Sequence, residues 1–263
     1  MIRLGVTGTD TGVGKTVVTC AAAAALRARG LRVVAMKPIE TGVAFDDPLR
    51  DGARIARAAK NEMPLSVTAP VVFDRPLSPL FAARAANTVI DLTALDVAVR
   101  DADRDADALI VEGAGGLLVP ITAVVSFADL FRRWSLDLIV VAANRLGVVN
   151  HTMLTVHAAR SAGLSVRAIV LTCSTAPGDA VADPSTSTNA EQLRELLSRR
   201  TSPPRGTSAK SAAASGPTVV VELPWIQRVD DLPTLAHYAE LSGLADVAAR
   251  GAPVKPGDSP PTS

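Results

Sequence analysis

Aromatic residues are scarce in this chain: two Trp, one Tyr and five Phe in 263 residues. Hydrophobic residues still make up 48%, so Ala, Val and Leu must build the core. Cysteine is also scarce. Cys20 and Cys173 cannot form a disulfide framework and suggest a reducing compartment. Neither sign of charge is in excess, with 27 basic against 26 acidic residues and a net charge of +1. That balance argues against a broad electrostatic footprint for nucleic acid or an anionic membrane. No apolar run reaches the roughly 20 residues that a bilayer requires. The opening "MIRLGVTG" lacks a basic stretch followed by a cleavable apolar segment. The expectation is a soluble cytoplasmic protein with no nucleic-acid and no membrane partner.

What the chain has is alternation. The runs "IRLGVT", "LRVVAMK", "ALIVEG", "DLIVVAA", "VRAIVLT" and "TVVVEL" read as strands. They are continuously apolar, as strands buried on both faces should be. Between them "GKTVVTCAAAAALRARG", "LRDGARIARAAK", "SPLFAARAA", "NHTMLTVHAARSAG" and "NAEQLRELLSRR" read as helices. Such alternation predicts an α/β fold with a mostly parallel central sheet, right-handed crossovers and helices on both faces. The expected organisation is one domain over residues 1–250. It includes a mobile Ser/Thr/Pro/Gly-rich insertion over 176–217 around one short helix, and a disordered tail follows over 251–263.

The stretch "TGTDTGVGKTVV" follows a strand and opens a helix, the context of a phosphate-binding P-loop. Its glycines let backbone N–H groups turn toward a polyphosphate, and the positive end of the next helix faces the same anion. Gly12, Val13, Gly14, Lys15, Thr16 and Val17 are therefore nucleotide-binding candidates. Lys15 would reach the β- and γ-phosphates, and the Thr16 hydroxyl would ligate Mg²⁺. Five residues separate Gly8 from Gly14, one more than the usual spacing.

Two further motifs stand at predicted strand ends, where ligands bind in open parallel sheets. In "MKPIETG" Lys37 projects toward the loop, and Thr41 and Gly42 form a second small-residue turn. In "LIVEGAGGLLVP" Glu112 ends an apolar strand, a usual place for a group that binds Mg²⁺ or its waters. Gly113, Ala114 and Gly115 would let main chain approach the ligand.

At these motifs the chain resembles dethiobiotin synthetase, an ATP-dependent carboxylase. The pieces "GTDTGVGKT", "KPIETG", "VEGAGGLLVP", "LGVVNHTMLT" and "ELPW" occur in the family's order, and the extra loop residue is the family's own spacing. The resemblance implies substrates 7,8-diaminopelargonic acid, CO₂ and ATP, with Mg²⁺ as cofactor. One amine and CO₂ would form a carbamate, ATP would phosphorylate it, and the second amine would close the cyclic urea. The resemblance makes Lys37, Lys15 and Thr11 catalytic, Thr41 and Lys37 substrate-binding, and Thr16 and Glu112 metal ligands. It also implies a metal-site Asp beyond the second strand. Asp51 is favoured because Ile55 then keeps the helical apolar spacing, with Asp47 the alternative. The segment matching Gly147, Val148, Val149 and Asn150 would cross a homodimer interface and hold the substrate's distant carboxylate. Asn150 also suits a helix N-cap. His151 and His157 read as surface or interface residues. The backbone of Pro224, Trp225 and Ile226 would line the base pocket.

Two positions depart from the family's pattern. Leu80 stands where a histidine is frequent. Cys173 stands where many members carry an Asn that reads adenine, so other nucleoside triphosphates should be accepted as well. Two rival readings share the superfamily. A partitioning-type switch ATPase would carry an early loop lysine where this chain has Thr9, Asp10 and Thr11. A cobyrinate-type amidoligase would need an ammonia-producing domain.

Overall fold

A computed structural model describes residues 1–104, 106–173, 183–199, 217–226 and 230–251. In chain order the elements are β1 (Ile2–Gly8), α1 (Lys15–Ala28), β2 (Val33–Met36), β3 (Ile39–Thr41), α2 (Asp51–Ala59), α3 (Leu65–Thr68), β4 (Val71–Phe73), α4 (Pro79–Ala85) and α5 (Leu92–Asp103). They continue with β5 (Ala108–Gly116), α6 (Phe127–Arg133), β6 (Asp137–Ala143), α7 (Val148–Ser161), β7 (Val166–Thr172), α8 (Asn189–Arg199), β8 (Val219–Leu223), α9 (Leu232–Leu241) and α10 (Leu244–Ala249).

The six strands expected from the sequence form one sheet in the order β2-β5-β1-β6-β7-β8, parallel at every pairing. Side chains alternate between two cores. Leu4, Val6, Ile110, Ile139 and Val141 face one core with α1, α9 and α10. Leu109, Val111, Leu138, Val140 and Ala142 face the other with α5, α6, α7 and α8. Both faces are covered, which is why these strands read as unbroken apolar runs rather than alternating ones. This is the α/β architecture of P-loop NTPases.

The alanine run of α1 is a consequence of position. Ala21, Ala22, Ala23 and Ala25 are fully buried, so the helix is enclosed on nearly all sides by the sheet and by α2, α9 and α10. Small side chains let those neighbours approach closely while keeping high helix propensity.

A second, two-stranded sheet pairs β3 with β4. The sequence did not reveal it, because three-residue strands carry no readable period. Within the expected insertion, Pro184–Ser187 forms a 3-10 turn and α8 follows, burying Ala190, Leu193 and Leu197. The remainder of that insertion up to residue 216, and the tail from 252, lie outside the described residues. Among the described residues no helix is long and apolar enough to cross a membrane.

Candidate active site

The strand order builds the site. β5 lies between β1 and β2, so the carboxyl ends of β2, β5 and β1 stand side by side. Register completes the placement: Glu112 pairs with Val6, and Met36, just before Lys37, pairs with Val111. Lys37 and Glu112 therefore emerge next to each other, beside the loop that follows β1.

That loop is shaped by glycine. Gly12 and Gly14 have φ of 74° and 89°, a left-handed region costly for other residues. Gly14 is the N-cap of α1 with no side chain capping it, which leaves the helix's first N–H groups directed to the loop interior. Val13 is buried, and its carbonyl accepts from the Thr172 hydroxyl at 2.7 Å. The end of β7 thus holds the loop from beneath. Lys15 is buried and its Nζ donates to the Asp10 carbonyl at 3.2 Å. Burial pushes the Lys15 ammonium below the ordinary lysine range, and Lys37 adds to that, against partial compensation from Glu112, Asp51 and Asp10.

Glu112 is completely buried, and three groups explain how its charge is tolerated. Thr16 donates to Oε1 at 2.9 Å, Thr19 donates to Oε2 at 2.7 Å, and Lys37 Nζ lies 2.9 Å from Oε1. Lys37 also ion-pairs with Asp51. Burial alone would lower the Lys37 pKa, but Glu112 and Asp51 outweigh it and hold Lys37 above the ordinary value. Burial would raise Asp51, yet the Lys37 charge and hydrogen bond bring it below the usual carboxylate range.

The structure thus brings Lys15, Thr16, Lys37, Asp51 and Glu112 into one cluster, and it separates the two Asp candidates. Asp51 opens α2 facing Lys37. Asp47 instead accepts from the Leu49 N–H at 2.8 Å in an exposed turn. The donor set around Lys37 is two carboxylates and a hydroxyl. Among the described residues no group of three or more His, Cys, Asp or Glu side chains gathers. One or two carboxylates with phosphate oxygens and water is how Mg²⁺ is usually held, so these residues fit that ion.

Thr11 is exposed, and its hydroxyl lies 3.8 Å from where a Cβ on Gly115 would sit. The strand β5 runs on through "EGAGG" to Gly116 rather than ending at Glu112 as expected, and this segment and the loop face each other. The glycines of that segment serve different ends. A Cβ on Gly113 would meet Phe131 and Phe127 at 3.1 and 3.2 Å, so Gly113 is required by packing under α6 as well as by any ligand approach. Gly115, with φ of 68°, lies near the carboxyl end of β5, beside Ala114. Thr41 ends β3, and Gly42 follows at φ 79°.

Cys173 is exposed, and its N–H donates to the Leu223 carbonyl at 3.2 Å. This places Cys173 beside Pro224, Trp225 and Ile226 at the ends of β7 and β8. Gly147, at φ 91°, is the N-cap of α7. Asn150 consequently sits in the first turn and is not the cap that the sequence suggested. Val148 is buried, Val149 partly so, and Asn150 is exposed. His151 and His157 are exposed on the same helix.

Sequence reasoning missed Thr19, Thr172 and the pair Glu40–Arg50. Thr19 carried a signal, since it lies three residues after Thr16 on one helix face. Thr172 and the Glu40–Arg50 pair depend on contacts distant in sequence.

Comparison with known proteins follows the same lines. A family model described as "AAA domain" matches residues 3–232. An ATP-dependent dethiobiotin synthetase BioD from Anaeromyxobacter sp. is 48% identical over 171 residues, 65% of this chain and 76% of that protein. One from Anaeromyxobacter dehalogenans is 45% identical over 76% of this chain and 87% of the other. Another, from Thermodesulfovibrio yellowstonii, is 35% identical over 73% and 83%. Among solved structures, a ParA family ATPase from Chlorobium tepidum aligns over 96% of this chain and 99% of that one at 13% identity and a TM-score of 0.47.

Proposed function

The chain belongs to the ATP-dependent dethiobiotin synthetase family, and from that premise we infer how its own residues carry the reaction. The enzyme is an ATP-dependent ligase that makes dethiobiotin. Its substrates are 7,8-diaminopelargonic acid, CO₂ and ATP. One amine adds to CO₂ and gives a carbamate, with loss of a proton. The carbamate oxygen takes the γ-phosphoryl group of ATP and ADP leaves. The second amine then attacks the carbonyl carbon, phosphate departs, the amine's proton passes to the released phosphate or to water, and the urea ring closes.

Every charged species in the phosphoryl transfer is an anion, so the chain must supply cations and fixed dipoles. Lys15 and the N–H groups of Gly12 to Val17 hold the triphosphate. Lys37 lies beside the carbamate and the transferring phosphoryl, where negative charge is redistributed. Thr11 stands beside the reacting groups, and Thr41 contacts the substrate. Positioning and charge stabilisation carry most of such a step, and no protein nucleophile is required.

Thr16, Asp51 and Glu112 would hold Mg²⁺, which would supply charge neutralisation at the phosphates. Glu112 suits this role because it is a fixed carboxylate whose orientation is set by Thr16 and Thr19. In the homodimer, the amides of Gly147 to Asn150 from the neighbouring subunit hold the substrate's distant carboxylate. Cys173 and Pro224 to Ile226 line the base pocket. The reaction is placed in the cytoplasm.

The observation that carries this reading is the meeting of Lys37, Glu112 and Thr16 at the edge of the loop. Product analysis with 7,8-diaminopelargonic acid, bicarbonate, Mg²⁺ and ATP tests it. Dethiobiotin and ADP should appear in equal amounts. Slow ATP hydrolysis that the diamine does not stimulate would instead indicate a partitioning-type switch ATPase.

A further inference from the structure

We propose that Glu40 and Arg50 are positioning residues that lock Asp51 against Lys37, a role that rests on the functional reading above. Neither side chain belongs to the cluster around the phosphate loop. Glu40 is 2% exposed and the Arg50 side chain is completely buried, and the two form an ion pair.

Stability gives a poor reason for this pair. A buried ion pair repays its desolvation only when the remaining donors are also satisfied. The Arg50 Nε and Nη2 atoms are buried and make no hydrogen bond among the described residues. An apolar pair of similar volume would serve the core at least as well. A buried polar group left partly unsatisfied calls for another explanation.

The geometry points to one. The second Glu40 oxygen accepts from the Gly52 N–H at 2.9 Å. Gly52 is the second residue of α2, and no side chain caps that helix at Arg50. Glu40 therefore caps α2 from a different element, satisfying one of its open N–H groups. No side chain fits at Gly52: a Cβ there would lie 2.6 Å from Glu40 Oε2 and 2.7 Å from the Ala69 Cβ. Glu40 thus grips the residues on both sides of Asp51.

The gripping strip is the one that carries Lys37. Lys37 N–H donates to the Thr68 carbonyl at 3.0 Å, and Glu40 lies in β3, paired with β4. Two crosslinks consequently join the same two strips, Lys37 to Asp51 and Glu40 to Arg50 and Gly52. A slide of α2 by one residue would break both Glu40 contacts and carry Asp51 away from Lys37.

Glu40→Gln tests this, because the amide keeps the size and can still accept from Gly52 but leaves Arg50 unpaired. Misplacement near 1 Å can cost about 100-fold in rate, so kcat should fall about 10- to 100-fold while the KM values change by less than about threefold. In an Asp51→Asn background the same change should cost less than about twofold, since coupled residues are non-additive. Binding of a fluorescent ADP analogue supplies a second readout. Glu40→Gln should keep metal-free binding and lose most of the strengthening that Mg²⁺ brings. A double variant, Glu40→Leu with Arg50→Met, should melt no lower than Glu40→Gln yet remain slow.

Full activity in that apolar pair would show that packing alone suffices and would overturn the proposal. So would a Glu40→Gln rate within about twofold of the parent, or an equal loss in the Asp51→Asn background. If the unaltered protein forms no dethiobiotin, the functional reading falls, and the metal-dependent binding measurement still decides the clamp.

Discussion

The Thr19 hydroxyl donates to Glu112 Oε2 at 2.7 Å, with both residues completely buried. The Lys15 carbonyl lies 3.0 Å from the same hydroxyl, but a hydroxyl has one proton, and the carboxylate is the stronger acceptor. Thr19→Val preserves shape and removes that donor. Leaving a buried acceptor short of its partner costs about 1–3 kcal/mol. Urea unfolding should show a loss of that size, and kcat should fall with it as Glu112 gains rotational freedom. Thr19→Ser should restore both. A Val variant as stable and active as the parent would leave Thr19 without a role at Glu112.

Lys37→Ala should lower kcat far more than it weakens nucleotide binding. Removing one contact made where charge develops typically costs about 10²–10³ in rate. The loop amides and Lys15, to which the proposed function gives the phosphates, are untouched by the change. Titration with a fluorescent ADP analogue alongside steady-state kinetics separates the two effects. A variant that lost binding and rate together would move Lys37 from the reaction to the nucleotide.

The two lysines should respond to alkali in opposite ways. The Lys15 pKa is depressed in the folded protein, so Lys15 loses its proton before an ordinary lysine does, and the fold gains stability as pH rises through that range. The Lys37 pKa is raised, so its stabilising charge is fully present below the ordinary lysine pKa and is lost only above it. ADP affinity in the free enzyme should therefore weaken at pH values below the normal lysine range. Lys15→Arg, which stays charged, should remove that limb. An unchanged limb in the Arg variant would assign the titration elsewhere.

Nucleotide choice should be loose. In the proposed function the loop amides, Lys15 and Thr16 see only phosphates and Mg²⁺. The Thr172 hydroxyl, at the end of β7, is already engaged with the Val13 carbonyl. Cys173 offers a thiol, a weak hydrogen-bond partner compared with an amide. A bidentate base contact is worth about 1–3 kcal/mol, so CTP, GTP and UTP should support ring closure within about tenfold of ATP in kcat/KM. Cys173→Asn should sharpen the preference for ATP. A preference of several hundredfold in the unaltered protein, more than the roughly 150-fold that one such contact supplies at most, would show that another group reads the base.

The protein should be a dimer in sedimentation experiments. Asn150, Leu154 and His157 lie on one face of α7, spaced as residues on one helical stripe, and all are exposed. Leu154 exposes 59% of its surface and the nearby Leu146 80%, apolar area that a second copy would cover. Leu154→Asp should shift the protein toward monomer and raise the KM for 7,8-diaminopelargonic acid more than that for ATP. A fully active monomer would contradict the shared substrate site.

The sequence by itself determined the local chemistry and the layering. Continuous apolar runs in "ALIVEG" and "DLIVVAA" required burial on both faces, and the six strands so identified form the main sheet. Gly14, Lys15 and Thr16 at a strand-to-helix turn pointed to an anion because backbone conformation and helix polarity are local properties. Only the tertiary structure decided that β5 enters between β1 and β2, which sets Lys37 against Glu112. Strand neighbours follow from pairings distant in sequence, and no periodicity encodes them. The same holds for the ion pair of Lys37 with Asp51 rather than Asp47, two acids four residues apart. Both suit a helix start, but only Asp51 pairs with Lys37, while Glu40 accepts from the N–H of the next residue, Gly52.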